Sequence, residues 1–265
     1  MSPQTASDYS MLDTPDVLNV LFHPRKSSGP VVGNKDFFDV LIPVEPGTRV
    51  GSRFYLTGPD RPVLLFFHGN GEIASDYDGI APFFRSIGIN LIVVDYRGYG
   101  CSDGSPTVAA MMADCYRILE FVESWKIEEG FAGPLIVMGR SLGSASALEL
   151  ASNCATRIEG LIIESGFAWA EPLLQLLGVD THRIGFDEAS GFANTDKIRS
   201  FSKPTLLIHA EFDHIIPYTN GKALYEACGA TDKTLLKITD ANHNDIFYRG
   251  LETYMEAIGK LADKL

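Results

Sequence analysis

Short apolar runs that alternate with helical patterns constrain this chain more than any other feature. They are PVLLFFHG (62–69), NLIVVDYRG (90–98), PLIVMG (134–139), GLIIESG (160–166), PTLLIHAEFD (204–213) and KTLLKITD (233–240). A strand with one face in water alternates apolar and polar residues. Strands that are apolar throughout have both faces covered, and helical crossovers cover both faces of a parallel sheet. Ahead of these runs, FFDVLIPV (37–44) and VGSRFYLT (50–57) flank EPGTR, whose Pro-Gly pair favours a tight turn and predicts an antiparallel hairpin. The expected fold is α/β: a mostly parallel twisted sheet of about eight strands flanked by helices.

The helical pattern is clearest between the fourth and fifth strands. There Val108, Met111, Met112, Cys115, Leu119 and Val122 recur at helical spacing, with Ser105 and Pro106 placed to start the helix. Phe247, Leu251, Tyr254, Met255, Ile258 and Leu261 repeat the period near the end. With 265 residues, 45% of them hydrophobic, one domain over 37–265 suffices. It follows an N-terminal segment 1–36 and carries an insertion at about 167–203.

Composition removes several function classes. A formal net charge of −12 repels phosphate backbones, so nucleic acid is not an expected partner. No apolar run reaches the ~18 residues of a membrane span, and MSPQTASDYSMLDTPD lacks the basic start and apolar centre of a signal peptide. No stable membrane insertion is expected, and the cytoplasm is the expected compartment. Cys101, Cys115, Cys154 and Cys228 form no C-x-x-C pair and read as free thiols. There is no H-E-x-x-H motif or clustered His and acid set, so neither a metal nor a cofactor is expected.

Two turns fit the Gly-x-Ser-x-Gly pattern of a serine nucleophile: GCSDG around Ser102 and GRSLG around Ser141. Such a nucleophile sits on a sharp turn directly between a strand and a helix. In PLIVMGRSLGSASALEL the strand runs into Gly139, Ser141 occupies the turn, and a small-residue helix follows. Around Ser102 the strand has already ended and DGSP reads as loop. An isolated match is as readily a glycine-rich turn without chemistry, so Ser141 must be supported by partners.

A serine hydroxyl needs a base to take its proton and an acid to hold that base's tautomer, in the chain order Ser, acid, His for a strand-turn-helix nucleophile. Asp213 follows the strand TLLIHA, and His243 in DANHND follows the last strand. His209 lies within a strand and reads as a packed residue. His23 lies in the N-terminal segment, His182 in the insertion, and His214 on the acid loop. Backbone N–H groups must also meet the oxyanion: Leu142, after the nucleophile, and Asn70 in the Gly-rich turn of LLFFHGNGE, with Gly71 its competitor.

FFHGNGE, DYRGYGCSDG, GRSLGS, LLIHAEFDHIIP and the His of DANHND together resemble the α/β-hydrolase superfamily, in its serine aminopeptidase-like or prolyl-oligopeptidase-like branch. The resemblance covers about residues 60–262 and implies an α/β-hydrolase fold with a short lid. It implies that DYRGYG-x-S-x-G is a structural loop, leaving Ser102 as a mimic of the motif. The chain departs from the family at Ala210 and Asn242, where glycine is common. The resemblance also leaves Glu164 as an alternative acid, because some relatives carry that group after the sixth strand; Glu72, Glu164 and Arg140 otherwise read as ion-pair residues that hold loops together.

Within the insertion, FAWAEPLLQLLG offers Phe167, Trp169, Leu173 and Leu174, with Leu176 and Leu177, as an apolar lid for an acyl group; the same residues would equally pack the insertion onto the sheet. The expected partner is a small-molecule acyl substrate. The leading expectation is a serine hydrolase of carboxylic esters or thioesters. The alternatives are a small-peptide hydrolase, with Glu72, Glu164 or Glu171 holding a substrate ammonium, and a non-catalytic binding protein on this fold.

Overall fold

A computed structural model describes residues 9–31, 35–189 and 191–265. The first eight residues, part of the stretch read as lacking a signal peptide, lie outside the described residues, as do three more of segment 1–36 and Ser190 of the insertion. The eight strands are β1 (Phe38–Glu45), β2 (Thr48–Tyr55), β3 (Val63–Phe67), β4 (Asn90–Val94), β5 (Leu135–Arg140), β6 (Gly160–Glu164), β7 (Thr205–Ala210) and β8 (Lys233–Ile238). They form one sheet in the order β1-β2-β4-β3-β5-β6-β7-β8. β2 is antiparallel to both β1 and β4, and every pairing from β4 to β8 is parallel. The β1–β2 turn is Pro46-Gly47, where Gly47 takes a φ of 82° that a side chain would resist.

Among the described residues, eight α-helices connect and cover the strands: α1 (Pro15–Leu21), α2 (Ala81–Ser86), α3 (Val108–Glu128), α4 (Gly143–Asn153), α5 (Ala170–Leu176), α6 (Asn194–Arg199), α7 (Tyr218–Ala227) and α8 (Ile246–Ala262). Alternation along β3 shows why its run is apolar throughout. Val63, Leu65 and Phe67 join the core that includes α3 and α4, while Leu64 and Phe66 join the opposite core with α2 and α8. The stripe expected on α3 is buried from Val108 to Val122. Its start differs: Thr107, not Ser105 or Pro106, is the N-cap, its hydroxyl accepting from the Ala110 N–H.

The N-terminal segment is part of this core. Leu12, Val17, Leu21 and Phe22 are buried against the α3 and α4 side, each worth about 1.5–3 kcal/mol when fully buried. Asp13 accepts from the Val108 N–H at 2.6 Å and the Ala109 N–H at 3.2 Å, so it caps α3 from a distant part of the chain. Of the insertion, Phe167, Leu174, Val179 and Phe192 are buried.

Strand order reverses between β3 and β5, which are neighbours although β4 lies between them in sequence. A crevice at the carboxyl ends of parallel strands is expected at such a point. The loops after β3 and β5 flank it.

Candidate active site

The turn after β5 is the sharpest constraint at this end of the sheet. Ser141 has φ 50°, a left-handed conformation that costs a non-glycine residue roughly 1–3 kcal/mol. It is held from both sides: its N–H donates to the Glu164 carbonyl at 2.9 Å, and its carbonyl accepts from the Ser144 N–H at 3.0 Å and the Ser144 hydroxyl at 2.6 Å. The flanking glycines permit the close approach. A Cβ on Gly139 would lie 2.3 Å from the Gly143 carbonyl oxygen, and one on Gly143 would lie 2.1 Å from that of Phe67.

Asp213 and His243 converge on this turn. His243 Nδ1 lies 2.7 Å from Asp213 Oδ2, and His243 Nε2 lies 3.0 Å from Ser141 Oγ. An ionised carboxylate only accepts, so Nδ1 carries the proton and Nε2 is free to accept from the hydroxyl. Burial works to raise the Asp213 carboxyl, but hydrogen bonds from His243 and the Ile216 N–H outweigh it and hold the group below its ordinary range. The Ile215 and Ile216 N–H groups both donate to its Oδ1, at 3.0 and 2.8 Å. Burial lowers His209, whose Nε2–H donates to the Ile216 carbonyl; it braces the acid loop without reaching the serine.

Glu164 takes another role. Arg140, partly buried at the end of β5, pairs with Glu72 at 2.6 Å and Glu164 at 3.1 Å, and donates to the His243 carbonyl at 2.9 Å. Tyr254 donates to the second Glu164 oxygen, and Tyr77 and the Gly69 N–H to the second Glu72 oxygen. The two carboxylates shift oppositely. Burial raises Glu164, whereas the Arg140 charge lowers Glu72 against its own burial penalty. Arg140 therefore ties the loops after β3, β6 and β8 together, as the ion-pair reading expected.

Leu142 is the N-cap of α4, and Asn70 lies in the loop after β3; the absence of a Cβ at Gly143 lets the start of α4 approach the end of β3. Among the described residues, neither the Asn70 nor the Leu142 N–H donates to a backbone acceptor. Ser102 is elsewhere. Its buried hydroxyl accepts from the Gly51 N–H at 2.8 Å, and among the described residues it makes no hydrogen bond to a histidine.

The four residues expected at the acyl site divide. Phe167, Trp169 and Leu173 line a cavity of about 200 Å³ beside the acid loop, together with Leu176, Ile215 and Pro217. Leu174 departs from the expected set: it does not line this cavity, and its side chain packs within the core. A larger cavity, about 460 Å³, lies between β8 and α8 beside the first residues of β7 and β8, away from the serine turn.

Sequence reasoning missed the setting of Asn70. Its Oδ1 accepts from the Tyr99 hydroxyl at 2.7 Å and the His23 N–H at 2.8 Å, and its amide nitrogen lies 2.8 Å from His23 Nδ1. His68, fully buried below this loop, faces the Gly69 carbonyl and Asp95, both acceptors. Burial opposes its charge, but Asp95 and Glu72 outweigh burial and raise its pKa.

With this geometry in hand, comparison with known proteins is specific. A family described as serine aminopeptidase, S33, matches residues 58–183. Alpha/beta hydrolase domain-containing protein 17B of Homo sapiens is 30% identical over 223 residues, covering 80% of this chain and 70% of the relative. The chain belongs to the α/β-hydrolase superfamily. Protein bem46 of Schizosaccharomyces pombe is 30% identical over 70% of this chain, and alpha/beta hydrolase domain-containing protein 17C of Xenopus laevis is 32% identical over 76%. The chain spans 62% of the length of each of those two relatives. The fold matches the Pyrococcus furiosus esterase Pf2001 with a TM-score of 0.71 at 19% identity, covering 91% of this chain and 98% of that one. It matches Est1E from Butyrivibrio proteoclasticus, with ferulic acid bound, with a TM-score of 0.70 at 18% identity, covering 85% and 98%. Among the described residues, no helix is long and apolar enough to cross a membrane.

Proposed function

We propose that this α/β hydrolase cleaves carboxylic esters or thioesters through an acyl-enzyme on Ser141. The observation that carries the reading is the unbroken contact from Ser141 Oγ to His243 Nε2 and from His243 Nδ1 to Asp213. Ser141 Oγ attacks the acyl carbon while its proton passes to His243 Nε2, and the carbonyl π pair moves onto oxygen. That oxyanion accepts from the Leu142 and Asn70 N–H groups, donors worth about 10²–10³ in rate each. The intermediate collapses, breaking the bond to the alkoxide or thiolate, which leaves with the His243 proton. Water repeats the sequence to release the acid and restore Ser141. Asp213 stays ionised throughout and stabilises the imidazolium.

The acyl group is assigned to the cavity of Phe167, Trp169 and Leu173, whose apolar walls suit a hydrocarbon chain. The small-peptide reading has less support, because it needs a carboxylate free to hold an ammonium. Glu72 and Glu164 are both engaged by Arg140, and Glu171 accepts from Thr181. The four unpaired thiols fit a reducing compartment, and the cytoplasm is proposed on that ground. A panel of p-nitrophenyl esters, acyl thioesters and aminoacyl anilides, assayed with wild type and Ser141→Ala, tests the reading. Ester or thioester turnover that disappears in the variant is the expected result, and anilide preference would instead favour the peptidase.

A further inference from the structure

The N-terminal segment crosses the carboxyl end of the sheet as a strap and grips the loop that carries Asn70. His23 meets the Asn70 side chain at both amide atoms, with its N–H on Oδ1 and its Nδ1 opposite the amide nitrogen, each at 2.8 Å. Since an amide nitrogen only donates, His23 Nδ1 accepts there. Arg25 donates to the Gly71 carbonyl at 3.1 Å and pairs with Asp76 at 2.9 Å. The strap is itself anchored on the loop after β4. The Gly100 N–H donates to the Arg25 carbonyl at 2.7 Å, the Ser27 N–H to the Gly100 carbonyl at 3.1 Å, and Lys26 Nζ to the Ser102 carbonyl at 2.8 Å.

Tyr99 joins the two structures. Its ring is fully buried, its hydroxyl donates to Asn70 Oδ1, and the same hydroxyl accepts from the His23 N–H at 2.8 Å. Asn70 is thus fixed through its side chain by two segments remote in sequence, while its own N–H makes no backbone hydrogen bond among the described residues. Gly71, next in the chain, has φ 77°, and the loop is held by the Glu72 carboxylate on the Gly69 N–H and by Arg25 on the Gly71 carbonyl, so side-chain contacts rather than a helix or strand ladder set where the donor is aimed.

We propose that His23 and Tyr99 are positioning residues for the reaction: by holding the Asn70 side chain they aim the Asn70 N–H at the developing oxyanion. This rests on the acyl-enzyme reading above and adds to it the source of that donor's orientation. Ground-state binding of the acyl chain lies elsewhere, so the effect belongs to the transition state and appears in kcat.

The test compares wild type, Tyr99→Phe, His23→Leu and Asn70→Ala for kcat and KM on p-nitrophenyl butyrate, and for affinity toward butylboronic acid, whose tetrahedral serine adduct probes the oxyanion site. Each variant is expected to lose about tenfold in kcat, less than a deleted donor, with KM within about twofold and boronate affinity weakened in parallel. The double variant Tyr99→Phe/Asn70→Ala is expected to be no worse than Asn70→Ala alone, because both remove one connection. His23→Asn, which returns an acceptor near the Nδ1 position, is expected to recover part of the His23→Leu loss. Tyr99→Phe keeps the buried ring and guards against a variant that fails to fold. Wild-type kcat and boronate affinity in Tyr99→Phe, or a kcat loss with boronate affinity unchanged, would overturn the proposal. Turnover surviving in Ser141→Ala would instead overturn the acyl-enzyme reading and the proposal with it.

Discussion

Two turns in this molecule spell Gly-x-Ser-x-Gly, and they are built for different ends. Around Ser141, β5 passes into α4 with no intervening loop, and the backbone takes φ 50° so that Oγ faces His243. Around Ser102, five residues separate β4 from Gly100, and the hydroxyl turns inward to accept from Gly51. One turn presents a hydroxyl and the other consumes it. The same glycines also serve differently: Gly139 and Gly143 admit a helix against a strand, while Gly100, at φ 50°, leaves room for the Asp95 carboxylate 2.0 Å from where a Cβ would sit. A motif therefore carries chemistry only through the elements on either side of it.

The largest expected effect breaks the comparison at its centre. Ser141→Ala should lower kcat by on the order of 10⁶, the scale of a deleted serine nucleophile. Next, Asp213→Asn should cost about 10⁴ in kcat by losing the tautomer that leaves Nε2 free. Glu164→Gln, which alters the Arg140 cluster without touching the relay, should cost far less. A larger loss in folded Glu164→Gln would move the acid to β6.

The same aspartate gives a pH signature. Its folded pKa is held below the unfolded value of about 3.9, so its contribution to stability is present above that pH and lost as pH falls through the folded value. The stability gap between wild type and Asp213→Asn, followed by denaturant unfolding, should therefore narrow below about pH 4. A gap constant down to acid unfolding would contradict the lowered pKa.

Smaller effects belong to the residues around the cavity beside the acid loop. In wild type, kcat/KM should rise up to about fourfold per acyl methylene before a plateau, the equivalent of ~0.8 kcal/mol each. Trp169→Ala and Leu173→Ala should flatten that rise and barely change acetyl ester turnover. Leu174→Ala should instead lower the unfolding free energy by about 2–5 kcal/mol as a core truncation. The smallest effect is on the other turn: Ser102→Ala should keep activity within about twofold while losing roughly 1–3 kcal/mol of stability, because the buried Gly51 N–H is left without its acceptor.

What the sequence discloses here follows the range of the forces involved. β3 to β7 announce themselves because burial on two faces leaves a continuous apolar run, and Ser141 and Asp213 are readable because each sits just past such a run, whereas His243 follows β8, which is only partly buried. Leu174 was not readable as a core residue. Leu173 and Leu174 are adjacent and equally apolar, and only the docking of α5 decides which faces inward. The start of α3 was only partly readable: Thr107 accepts the Ala110 N–H as the cap, and Asp13, far off in sequence, takes the Val108 and Ala109 N–H groups, a contact with no local pattern. The contacts of His23 and Tyr99 with Asn70 leave no periodic trace, since single polar side chains meeting across 47 and 29 residues carry no local pattern.

The most direct test of the account is covalent labelling with a fluorophosphonate followed by peptide mapping, because phosphonylation needs a hydroxyl with a base and oxyanion donors around it. The account predicts one adduct, on Ser141, absent from Ser141→Ala and undiminished in Ser102→Ala. An adduct on Ser102, or labelling that persists in Ser141→Ala, would contradict it.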